Sequence, residues 1–175
     1  MSGKNIRIGI DTAGKGRMFR HRGGAVLELA LTLSILFSIC YGLIEVGYYF
    51  YVKNSMEGAA REGCRAGIVT GGTTTQVNNA IENQLQAAGL VTNGTTASAS
   101  GSNYTIGSYT VGFWDISNGG STSTQISNVS TIPTGDTLEV QITATWGTVG
   151  AGFRPAAIIG SSKQIVTASE MRVEG

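Results

Sequence analysis

The sequence predicts an α+β chain: a long N-terminal transmembrane helix that continues into an amphipathic helix and packs on a small antiparallel β-sheet. Three patterns carry this expectation. An apolar run, AVLELALTLSILFSICYGLIEVGYYFYV, occupies residues 25–52 and is interrupted only by Glu28 and Glu45. Small residues then recur at helical spacing over residues 56–67, and a strict two-residue alternation runs through residues 138–146.

The apolar run is long enough to span a membrane. The 16 residues between Glu28 and Glu45 carry no charge. At the helical rise they cover about 24 Å, and Ala25 to Val52 covers about 42 Å, against roughly 30 Å of hydrocarbon. The polar members Thr32, Ser34 and Ser38 can bond back to a carbonyl one turn earlier. A cleaved secretory signal has a shorter apolar core followed by a small-x-small site, which this run does not match. Residues 1–23 carry a net charge of +5, leaving −4 for the rest of a chain whose total is +1. Basic residues stay on the cytoplasmic side of a first span, so the bulk of the chain is expected outside. Tyr41, Tyr48, Tyr49, Phe50 and Tyr51 then fall where an outer aromatic belt belongs, with Lys53 just beyond. The expected divisions are a basic cytoplasmic leader (1–23), a transmembrane helix (24–52), extracytoplasmic helices (53–91) and a β-rich extracytoplasmic domain (92–175).

Within the leader, Gly9 to Lys15 reads G-x-x-x-x-G-K, the start of a phosphate-binding loop. Gly16 stands where a Ser or Thr would hold magnesium, and no strand or amphipathic helix flanks it, so no nucleotide site is expected. Glu28 is the more informative residue. A carboxylate in the bilayer costs about 2.5–3.5 kcal/mol on insertion scales and calls for compensation. Two readings fit. Cleavage between Gly23 and Gly24 would create an α-amino group one helical turn before Glu28, able to pair with it in the same chain or a neighbour. Alternatively, Glu28 snorkels to the cytoplasmic interface.

The order basic cluster, glycine, four residues, glutamate, apolar helix resembles the class III signal of type IV pilins and pseudopilins. More narrowly, GGAVLELALTLSILFSICYGLIEVGYYFYVKNSMEGAAREGCRAG resembles the start of TadE-like proteins, pseudopilins of tight-adherence (Tad) pilus systems. The closing SEMRVE (169–174) also looks like that family's end. The resemblance implies a pilin-like fold and leader cleavage after Gly23 by a prepilin peptidase; cleavage after Gly24 would put Glu28 one position early. It also implies a processing or docking role for Glu28, and partners among other pilins or pseudopilins and the Tad secretion machinery. Leu29 stands where an aromatic residue often follows the glutamate.

Glu45 follows Glu28 by 17 residues, about 100° away around a helix, so the two acids do not share a face. Interface anchoring, together with Tyr48, Tyr49 and Tyr51, is the favoured role for Glu45, with interhelical pairing as the alternative. Beyond it, Met56, Ala59, Ala60, Gly63, Cys64 and Gly67 form a stripe for close packing, with Glu57 and Arg61 at the i,i+4 offset on the other side. Cys40 and Cys64 are 24 residues apart on one helix, about 36 Å and beyond disulfide reach. Gly71-Gly72 ends this helix. Thr73 to Thr75 cap a second one over residues 76–88, with Val77, Ala80, Ile81, Leu85 and Ala88 on one face and Gly89 as the stop.

Residues 92–103 and 117–131 read as Ser/Thr/Asn/Gly-rich loops. Around them lie three strand signals: one run through Tyr104, Ile106, Tyr109, Val111, Phe113 and Trp114; the alternation Leu138, Val140, Ile142, Ala144, Trp146; and residues 163–173. Three or four antiparallel strands with one face on the long helix would bury these stripes.

The chemistry-bearing residues are sparse. His21 is the only histidine and lies in the leader, so neither a metal set nor a Ser-His or Cys-His couple is expected. Asp115, Asp136, Glu139 and Glu170 read as solvated surface, and the exported part is acidic, against nucleic-acid binding. The N-x-S/T triplets at Asn93, Asn103 and Asn128 arise readily in such loops. The expectation is a protein that is no enzyme and has no cofactor, nucleic acid or small-molecule substrate. It would sit in the inner membrane in contact with lipid, as a minor pilin, pseudopilin or assembly factor of a Tad-type pilus. The alternative is a membrane-anchored extracytoplasmic binding domain that is not part of a pilus.

Overall fold

Small residues spaced three and four apart let a helix lie close against other elements, and the fold is built on such a stripe. The computed structural model describes residues 20–69, 71–117, 123–150, 152 and 154–173. The glycine-lysine motif of residues 9–15, most of the leader, Glu174 and part of the 117–131 stretch lie outside the described residues. The chain divides into two units, residues 1–40 and 41–175. One helix, α1 (Arg20–Ile68), supplies the helical part of the first unit and opens the second.

In the second unit α1 buries Val52, Met56, Ala59, Ala60, Gly63, Cys64 and Gly67, the sequence-read stripe lengthened upstream by Val52. Its glycines are contact points. A Cβ at Gly63 would lie 2.7 Å from Ile81 Cγ1, and one at Gly67 would overlap Leu138 Cδ2 while crowding Val77 and Val129. Gly67→Ala is therefore expected to destabilise the unit by about 1–3 kcal/mol through overpacking. At Gly58 the nearest atom to an added Cβ is Gln84 Nε2 at 3.7 Å, so Gly58→Ala should be neutral or stabilising by up to about 1 kcal/mol through helix propensity. Denaturant unfolding of the full chain in detergent separates the two. Cys64 donates its thiol to the Ser169 carbonyl at 2.9 Å; burial pushes it up to about 11, so it is a packed thiol without thiolate reactivity near neutral pH. Cys40 is exposed and not disulfide-bonded.

Helix α2 (Thr74–Ala87) starts at a capping box: the Thr73 hydroxyl accepts from the Gln76 amide, and the Gln76 side chain accepts from the Thr73 amide at 2.9 Å. It ends in a Schellman arrangement, with the Leu90 amide on the Leu85 carbonyl and Gly89 at φ +67°. Its buried face is Val77, Asn78, Ile81 and Leu85.

Among the described residues the sheet is antiparallel throughout and has six strands where the sequence suggested three or four: β1 (Ser98–Ser100), β2 (Asn103–Ile106), β3 (Tyr109–Ile116), β4 (Ser123–Ile126), β5 (Thr137–Thr145) and β6 (Gln164–Arg172). The order is β1-β2-β3-β5-β6, with β4 sharing the β2 side of β3. The run from Tyr104 to Trp114 is not one strand. It folds back at Gly107-Ser108, where Gly107 takes φ +59°, so that Ile106 pairs with Tyr109. β1 and β4 come from stretches read as loops; they are short edge strands with little apolar content. In the centre, Val111 lies opposite Ile142 and Phe113 opposite Val140, and all four are buried in one cluster with the α1 stripe and α2. A 3-10 turn (Val129–Thr131) and a one-turn helix, α3 (Trp146–Val149), complete the unit.

One cross-strand pair opposes this packing. Glu139 faces Glu170, and burial together with the Glu170 charge raises the Glu139 carboxyl above its ordinary range. The folded chain then holds that proton more tightly than the unfolded chain. This contribution to stability is greatest at acidic pH, falls as pH rises through the carboxylate range, and is fully unfavourable above the raised value. Glu139→Gln is expected to add about 0.5 kcal/mol at neutral pH and low salt and to flatten that decline. Melting temperature against pH checks it.

Candidate functional site

A helix that is apolar all round needs a cover other than water. In the first unit every residue from Gly23 to Cys40 is exposed, including Val26, Leu27, Leu29, Leu31, Ile35, Leu36, Phe37 and Ile39. At the helical rise these residues cover about 27 Å, close to the thickness of a hydrocarbon core. Thr32, Ser34 and Ser38 donate to the carbonyls of Glu28, Ala30 and Ser34, each at 2.9 Å, so the three hydroxyls are satisfied within the helix. This is the helix long and apolar enough to cross a membrane, and it supports single-pass membrane anchoring.

Gly23 and Gly24 are helical and exposed, with no neighbour within 4 Å of an added Cβ. Glu28 is exposed among apolar side chains, and its carboxylate makes no hydrogen bond or ion pair with another described residue. In lipid such a group calls for a partner from elsewhere. The structure thus leaves the glycine pair and Glu28 accessible on the helix surface.

The second acid has a different fate. The sequence reading favours interface anchoring for Glu45 over interhelical pairing, whereas the structure encloses the residue completely. Its Oε2 accepts from the Ile158 amide at 3.1 Å and its Oε1 from the Ile159 amide at 2.9 Å. Arg154 adds a nearby positive charge and donates to the Ile159 carbonyl at 3.3 Å. The preceding Ala157 sits at φ +49°, and consecutive amides after a left-handed residue form a concave nest suited to an anion. The physical reason for the inward turn is that a carboxylate with two aligned N–H donors no longer needs the water of an interface. The partner is also not a second helix but a loop 113 residues further along the same chain.

The tyrosines read as anchors are built into this unit as well. Tyr48 and Tyr49 are half-buried against Trp146, with ring centroids 5.9 and 5.3 Å apart. Tyr51 is about half exposed and donates to the Ala88 carbonyl. Sequence reasoning missed Arg154, Ile158 and Ile159. The available signal was the acid itself, which within an apolar run demands donors without naming the segment that supplies them. Among the described residues no group of three or more His, Cys, Asp or Glu side chains could hold a metal ion.

Comparison with known proteins agrees with the resemblance seen in the sequence. The model of the family described as TadE-like protein matches residues 23–65, which takes in Gly23, Gly24, Glu28, Glu45 and most of the small-residue stripe. No curated protein matches, and no solved structure does. The match covers 43 of the 175 residues, and over residues 23–65 the chain is similar to TadE-like proteins.

Proposed function

We propose that the chain is a minor pilin, a pseudopilin or an assembly factor of a Tad-type, type IVb-like pilus. It sits in the inner membrane as a single-pass protein with its N-terminus inside and its C-terminal domain extracytoplasmic. A prepilin peptidase removes the leader after Gly23, and the new Gly24 amine lies one turn from Glu28. The apolar helix then associates laterally with the helices of other pilins and with the Tad machinery. The protein acts by docking and catalyses no reaction.

The observation that carries this reading is the first unit's apolar helix, exposed on every side with one carboxylate lacking a described partner. Lipid alone satisfies the apolar surface but not the acid. Glu28→Ala is expected to leave membrane insertion intact. Losing one interhelical polar pair, worth about 1–2 kcal/mol, weakens docking roughly tenfold and lowers piliation accordingly. Normal piliation in this variant removes Glu28 from the mechanism. The mass of the membrane-extracted protein tests the processing step. A chain beginning at Gly24 supports the pilus reading, and an intact leader on all molecules, with the peptidase present, favours a tethered binding domain.

A further inference from the structure

The connection between β5 and β6 forms a strap. Its base is closed by the Trp146 amide on the Lys163 carbonyl at 2.8 Å and the Gly147 amide on the Ser161 carbonyl at 2.7 Å. Its tip reaches α1 at Gly42 and Glu45. Ile158 Cδ1 lies so close to Gly42 that an added Cβ would sit 2.9 Å from it, and the amides of Ile158 and Ile159 are held by Glu45. The tip is therefore fixed against the apolar run on the N-terminal side of the tyrosine cluster. Gly42 precedes Tyr48 by six residues, about 9 Å along the helix axis.

We propose that the strap tip at residues 157–158 rests at the headgroup–acyl boundary of the outer leaflet, beneath the aromatic belt, with the Ile158 side chain entering the acyl region; this rests on the membrane-spanning reading of α1. Three observations support lipid as the occupant. Ile158 is 62% exposed, and the α1 residues of the same unit that bracket the contact, Tyr41, Leu43, Ile44 and Phe50, are also exposed, continuing the apolar surface of the anchoring helix. Glu45 is the only charged residue between Glu28 and Lys53, and enclosing it leaves no formal charge of α1 facing outward at this level. Backbone groups satisfied by protein cost less to bring to the edge of the hydrocarbon, and the remainder can meet headgroups and water at the boundary. Here Glu45 takes the amides of residues 158 and 159, and Arg154 takes the carbonyl of residue 159. Exposed Lys163, at the base of the strap, can reach the headgroups.

The test uses the full chain with Cys40→Ser and Cys64→Ala, labelled with an environment-sensitive fluorophore at single cysteines. The vesicles contain phosphatidylethanolamine and phosphatidylglycerol, with or without acyl-brominated lipid. Leu33→Cys reports the apolar helix, Ile158→Cys and Ala157→Cys the strap tip, and Glu62→Cys an exposed α1 position about 30 Å from Gly42 along the helix. The expected result is bromine quenching of at least about twofold at positions 33, 157 and 158, as for an apolar segment sunk into the acyl boundary, with aqueous iodide quenching only position 62. If position 33 is bromine-quenched while 157 and 158 respond only to iodide, the strap lies in water and the proposal fails. If 157 and 158 are shielded from both quenchers, protein covers the strap and the proposal fails. If position 33 itself escapes bromine, the spanning reading falls first and the proposal with it.

Discussion

Trp146→Ala is expected to destabilise the second unit by about 3–5 kcal/mol, the cost of removing a large aromatic side chain from a packed interior. The indole is fully buried at the end of β5, where the chain turns into α3. Tyr48 and Tyr49 of α1 lie against it, and an added Cβ at Gly150 would sit 2.7 Å from the ring. One side chain thus touches the sheet, the helix and the strap at once. The loss is read by denaturant unfolding of the full chain in detergent, following the fluorescence of the remaining Trp114. Helicity at low denaturant should largely persist, since the first unit is stabilised by the micelle and not by this core. A loss below about 1 kcal/mol would show that Trp146 is not the junction described, because well-packed aromatic truncations do not cost so little.

The helical part of the fold was legible because its signals are local. The Thr73–Gln76 capping box, Gly89 after α2 and the six-residue stripe from Met56 to Gly67 each act within a turn or two of chain, and the structure uses them all. β5 was legible for the same reason: its alternation needs only the pleat. The split between β2 and β3 was written in the sequence but overlooked. Tyr104 and Ile106 are even-numbered and Tyr109, Val111 and Phe113 odd, so a continuous strand would have sent the two sets to opposite faces. A change of parity across two residues, one of them glycine, signals a hairpin. β1 and β4 carried no such signal. Ser98–Ser100 and Ser123–Ile126 are strands because β2 and β3 offer them an edge, and edge pairing is invisible to a pattern read along one segment.

The candidate site divides the same way. The exposed apolar helix and the placement of Glu28 followed from hydropathy and spacing. The fate of Glu45 did not, since its partners come from residues 158 and 159, and nothing within helical reach of Glu45 hints at them. Two acids that look alike in sequence have opposite surroundings: Glu28 is exposed without a described side-chain partner, while Glu45 is enclosed and hydrogen-bonded within its own unit.

Glu45→Lys tests this difference and is expected to cost about 3–5 kcal/mol, the penalty for leaving an uncompensated charge inside protein. An anchor at the interface would tolerate lysine, which extends to the headgroups more readily than glutamate. The enclosed site cannot: the ammonium would meet two amide donors and the Arg154 guanidinium, with no acceptor in return. Glu45→Ala should cost less, about 2–3 kcal/mol, because it strands the two amides and leaves Arg154 without its countercharge but brings in no second cation. Glu45→Gln should fall lower still, since it keeps one acceptor. Hydrogen exchange localises the effect: the amides of Ile158 and Ile159 should lose protection in the alanine variant while those of the β3–β5 ladder keep theirs. Glu28→Ala, by contrast, should leave the melting of the second unit unchanged while impairing assembly. If Glu45→Lys melts like the parent chain, the carboxylate is not enclosed, and the strap loses both its anchor and the reason its backbone can be housed beside an apolar helix.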